Sequence, residues 1–181
     1  MRQIVLSATL FGEDAVLPLK AITIAGFAAL WGGLAFSTAA EIAEIPPAKI
    51  LFVCEHGNVK SLMAASYFNR IVQEKHLPYI AFSRGAEPDS TTVPPAIAAG
   101  LRIGGFDVSG FHPSKLTAAD VNAAQRVIMI GVPLPANAGS NALPALAWDD
   151  VPPASVDFEA SSASLKAHID ELIKQLNALK K

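Results

Sequence analysis

The chain has 181 residues, enough for one domain with a full core and too few for two comfortable ones. Its 14 lysines and arginines against 16 acidic residues leave a net charge of −2, which excludes a global field for nucleic acid or for an anionic membrane surface, so any anion site must be local. A single cysteine excludes an internal disulfide, and four histidines without ligand spacing offer no zinc site; neither a metal nor another cofactor is expected.

In chain order, the first signal is residues 21–40, AITIAGFAALWGGLAFSTAA, which carry no formal charge and follow Lys20. A basic start, an apolar run and a small-residue tail read as a secretory signal, with Ser37-Thr38-Ala39 or Thr38-Ala39-Ala40 at the cut, although the leader also holds Glu13 and Asp14. Export to the periplasm, or secretion, is the favoured expectation. The alternative is an uncleaved inner-membrane anchor, since about 20 apolar residues span a bilayer. Trp31-Gly32-Gly33 argues against a buried amphipathic helix. The expected organisation is a signal or anchor over 1–40, a linker over 41–48 that contains Pro46-Pro47, and one domain over 49–181.

Lys49 to Val53 reads as a buried strand, followed by a tight loop and a helix whose Leu62, Ala65, Phe68, Ile71 and Val72 recur at helical spacing to about Glu74. Tyr67 and Phe68 on that helix are core residues. Tyr79 to Phe82 is a second strand, and Arg84 just after it is read as solvated. After the turn-rich SRGAEPDSTTVPP comes AIAAGLRIGG, a helix closed by Gly104-Gly105. His112 and Lys115 fall in a turn before a short helix over Leu116 to Ala124. Arg126 to Ile130 is a third strand and Ala145 to Trp148 a weak fourth, separated by the loose PLPANAGSNALPAL. Leu165, Ile169, Leu172, Ile173, Leu176 and Leu179 trace one face of a closing helix, with Lys180 and Lys181 at its negative end. Strands alternating with helices imply an α/β fold of three layers, with a four-stranded, mostly parallel sheet between helices and ligands at the carboxyl ends of the strands.

Cys54 stands at one of those ends, in ILFVCEHGNVKS. A lone cysteine is ordinarily a small buried apolar residue. Here, however, a loop of Glu55, His56, Gly57, Asn58 and Val59 leads into a helix that begins near Lys60-Ser61. Amides of such a loop and of a helix N-terminus converge on a tetrahedral anion, and with Lys60 they favour a thiolate nucleophile. Gly57 suits a sharp turn toward a ligand. Ser61 either caps the helix or bonds the sulfur.

These residues resemble the low-molecular-weight protein tyrosine phosphatases and the arsenate reductases of the same fold, whose loop runs cysteine, five residues, arginine, then serine or threonine. VCEHGNVKSLMAASYFNR carries the resemblance, as do SRGAEPDSTTVPPAIAAGLRIGGFDVSGFHPSKLT and the WDD of Trp148 to Asp150, so that it covers residues 48–180. The resemblance implies hydrolysis of a phosphate monoester through a cysteinyl phosphate, with phosphate, arsenate or a similar oxyanion held by residues 55–61. It also implies an aspartic acid that protonates the leaving group: Asp150 by position, Asp149 as second choice. Three departures matter. Lys60 replaces the arginine, and an ammonium lacks the flat two-pronged grip of a guanidinium. Gly57 stands in place of the loop asparagine that usually follows the cysteine by three residues, with Asn58 one place later, which alters the loop's internal hydrogen bonding. No further cysteine is present to pass on a disulfide, so arsenate reduction would use an external thiol. A weakened oxyanion-binding or regulatory protein is the alternative expectation.

Overall fold

The computed structural model describes residues 46–139 and 145–179, so the apolar segment read as a signal or anchor and the end of the chain lie outside the described residues. Among these residues no helix is long and apolar enough to cross a membrane. The apolar run AKILFVC forms β1 (Ala48–Cys54), the centre of a sheet in the order β2-β1-β3-β4 with β2 (Tyr79–Gly85), β3 (Arg126–Met129) and β4 (Leu146–Ala147). Every pairing is parallel, where the sequence promised only a mostly parallel sheet. The register sets Cys54 beside Gly85 and Val53 beside Met129.

Alternation along β1 splits its side chains between two apolar clusters. Ile50, Phe52 and Cys54 join the larger one, with α1 (Lys60–Glu74), α2 (Pro95–Ile103) and α4 (Phe158–Ala178). Leu51 and Val53 join the smaller one, with Val127, Met129 and the short α3 (Ala118–Ala123). Strands covered on both faces read as continuous apolar runs, which explains ILFVC. At the centre, Phe52 meets Phe68 edge to face at 5.8 Å and Trp148 at 5.5 Å, and Tyr67 and Phe68 are core as expected. The outer edge of β2 is bracketed by Asn69. Its Nδ2 donates to Ala81 O at 3.0 Å, and Ala81 N donates to its Oδ1 at 2.7 Å.

The helices begin and end where local chemistry dictates. Pro95 opens α2 at its first turn, where a missing N–H costs nothing. Thr117 and Asp120 form a reciprocal capping box at α3, flanked by the buried pair Leu116 and Val121, so this helix is shorter than the expected 116–124. Closing helix α4 starts a full two turns before its apolar stripe, because Asp157 accepts from Ala160 N at 2.9 Å and the small Ser161 and Ser162 pack inside. Arg84 corrects the sequence reading. It lies within β2, half-buried, and its Nη2 is 2.9 Å from Asp120 Oδ1 rather than in solvent.

Burial pushes the Asp120 carboxyl up, but hydrogen bonds from Thr117 and Arg84 outweigh it and leave the group below the usual carboxylate range. A lowered folded-state pKa gives stability that is present above the unfolded value of about 4 and is lost as the pH falls through the folded one. Asp120→Asn is therefore expected to cost about 1 kcal/mol at neutral pH, and urea melts of the two proteins should converge on acidification.

Candidate oxyanion site

The loop after β1 is fixed by a backbone contact. Gly57 has φ +79°, and a β-carbon placed there would fall 2.5 Å from Gly85 N, so the loop sits directly on the end of β2. Gly85 is equally committed, since its own β-carbon would meet His56 C at 2.7 Å. Beyond β2 the next residues continue alongside the loop: Ala86 N donates to Cys54 O at 2.9 Å and Glu87 N to Glu55 O at 2.8 Å. Asn58 Nδ2 donates to Thr92 O at 2.8 Å and ties in the far side.

Helix α1 starts at Lys60 after Val59, with no side-chain cap and no acidic residue in its first turn. Its first amides and its positive dipole end are thus left to the loop's concave side. Cys54 is buried, yet its sulfur is held by polar groups. Gly57 N donates to Sγ at 3.3 Å and Ser61 Oγ lies 3.0 Å from it. Ser61 thus bonds the sulfur instead of capping the helix. Ser83 Oγ, unforeseen in the sequence, reaches both Ser61 Oγ and Gly57 O at 2.8 Å, its one proton serving either.

A cavity of about 350 Å³ opens over Cys54. Glu55, His56, Val59 and Lys60 form one wall, Ile130, Gly131 and Val132 after β3 a second, and Pro153 to Ser155 a third. Gly57, Asn58 and Ser61 stand behind the first wall, all buried. Lys60 reaches across to β3: a β-carbon at Gly131, which has φ +68°, would lie 2.6 Å from Lys60 Nζ. His56 Nδ1 lies 3.2 Å from Asp89 Oδ1 and its Nε2 3.9 Å from Glu55 Oε2. Among the described residues no cluster could hold a metal ion.

The two expected acids are placed apart from this cavity's lining. Asp149 lines an adjoining hollow that shares Gly131 and Val132. Asp150 is exposed and accepts a 2.8 Å bond from His168 Nε2–H, while the His168 ring stacks on Trp148 at 4.7 Å. That bond holds the Asp150 carboxyl below the usual carboxylate range, against a smaller opposing effect of burial.

No family model and no curated protein matches the sequence. Solved structures do. A thioredoxin-dependent arsenate reductase of Corynebacterium glutamicum superposes with a TM-score of 0.58 at 21% identity, over 77% of this chain and 66% of that one. A low-molecular-weight protein tyrosine phosphatase of T. tengcongensis does so at 0.56 and 21%, over 71% and 99%. The chain has the fold that these phosphatases and arsenate reductases share. An arsenate reductase in its phosphate-binding state is similar as well, at TM-score 0.57 and 23% identity over 71% and 98%.

Gly57 and Gly131 share a left-handed backbone, so an alanine at either is strained by a comparable amount, roughly 1–2 kcal/mol. They differ in what the new methyl strikes: fixed backbone at Gly57, the free end of a lysine at Gly131. Gly57→Ala should lower the urea midpoint distinctly more than Gly131→Ala. Equal losses would show that the loop does not rest on β2 in solution.

Proposed function

We propose that this chain hydrolyses phosphate monoesters through a cysteinyl phosphate at Cys54. The observation that carries the reading is the sulfur's position on the floor of an open cavity. It sits between a 3.3 Å amide and a 3.0 Å hydroxyl, with Lys60 in the wall. In this reading the loop amides of residues 55–59 and the start of α1 receive the equatorial oxygens, Lys60 balances their charge, and Cys54 Sγ attacks phosphorus in line with the ester oxygen. Water then displaces the sulfur and frees phosphate. With one cysteine in the chain, arsenate reduction at the same site would consume an external thiol.

A second reading, an oxyanion-binding protein with weak turnover, draws support from Lys60 and from the engagement of Asp150 with His168. Assaying purified protein with an aryl phosphate, while measuring phosphate, arsenate and vanadate binding, separates the two. Cys54→Ser should abolish hydrolysis and retain anion binding. Lys60→Arg, by adding one charge-assisted hydrogen bond of about 1.5 kcal/mol in the transition state, should raise kcat/KM roughly tenfold. Binding without hydrolysis in the wild type and in Lys60→Arg favours the second reading, and thiol-dependent arsenite formation would identify the reductase. Export belongs to the same proposal and is tested by sequencing the mature N-terminus after cell fractionation.

A further inference from the structure

Hydrolysis of an ester requires a proton for the leaving oxygen, and the cavity wall holds a titratable group other than Asp149 and Asp150. We propose, resting on the hydrolytic reading above, that His56 is the acid–base catalyst and that Asp89 positions it. The His56 imidazole belongs to the same cavity lining as Cys54. Among the described residues its Nδ1 is closed off from solvent and has no in-line hydrogen-bond partner, although Asp89 Oδ1 stands 3.2 Å away. Asp89 is 67% exposed, so its carboxyl is free to turn and complete the pair. A carboxylate at Nδ1 fixes the ring and leaves Nε2 to carry a transferable proton.

The framework around this pair is rigid. His56 is pressed against Gly85, and the chain leading to Asp89 is bonded to the loop at Cys54 and Glu55. The other charged group near the ring is Glu55, whose Oε2 lies 3.9 Å from Nε2 at the rim and whose side chain is 66% exposed, while Lys60 in the same wall extends toward Gly131. Glu55 is hydrated and screened there. Asp150, by contrast, is bound to His168 and absent from the lining.

In the first step the cysteine thiolate forms the S–P bond as the P–O ester bond breaks, and Nε2–H passes its proton to the departing oxygen, which leaves as the neutral alcohol. In the second, the neutral imidazole takes a proton from water as its oxygen bonds to phosphorus. The S–P bond then breaks, which returns the thiolate, the imidazolium and hydrogen phosphate. No outside oxidant or reductant enters.

The test compares phenyl phosphate, whose leaving group needs a proton, with 2,4-dinitrophenyl phosphate, whose leaving group does not. His56→Gln should slow the first by about 100-fold or more and the second only a few-fold. Asp89→Asn should shift the ratio in the same direction by a smaller factor, with Asp89→Glu restoring part of it. The ratio on one protein cancels general damage to the loop. Equal losses on both esters in His56→Gln, or a selective loss of phenyl phosphate in Asp149→Asn or Asp150→Asn instead, would overturn the assignment. A wild type that hydrolyses neither ester would overturn the hydrolytic reading beneath it as well.

Discussion

Everything at the candidate site follows from two residues without side chains touching one another. Gly57 and Gly85 allow the loop after β1 to lie on the end of β2 at a distance that no β-carbon permits. That contact turns the chain sharply enough for the Gly57 amide to come back onto the sulfur three residues earlier. It also leaves α1 pointing its uncapped end at the same spot. A longer, looser loop would present the same residues without converging their dipoles.

The proposed chemistry asks a buried group to carry charge. Cys54 belongs by position to the apolar face of Ile50 and Phe52, and an unsupported thiolate there would be costly to desolvate. The polar chain of Ser83, Ser61 and the Gly57 amide makes that pocket of the core hospitable to charge. Lys60 completes it from the side of β3, where the missing side chain of Gly131 leaves room for an ammonium that reaches further than it branches.

Much of the fold was legible because its signals are local. ILFVC announces a doubly covered strand, the stripe from Leu165 to Leu176 a packed helix, and the residues from Cys54 to Ser61 a tight turn between strand and helix. The start of α4 was not, since Ser161 and Ser162 look like surface residues and are buried only because α1 stands against them, with Tyr67 bonded to Ser162. Ser83, Gly85, Asp89 and Gly131 were silent for a related reason. Each gains its meaning from a neighbour 26 to 71 positions away in the chain, such as Gly57 for Ser83 and Lys60 for Gly131, and no periodicity encodes that. The surroundings of the acids were silent too: WDD is a clear local signal, but nothing in it shows that His168, eighteen residues on, bonds Asp150.

The bracket that Asn69 places on Ala81 reaches beyond local stability. As an outermost strand, β2 would otherwise offer its main chain to any extended peptide, and stacking of copies flank to flank is the route by which such sheets polymerise. One carboxamide occupies both the donor and the acceptor in the middle of that border, so an incoming segment finds the central rungs already taken. At that rung the border of β2 is closed to an added strand.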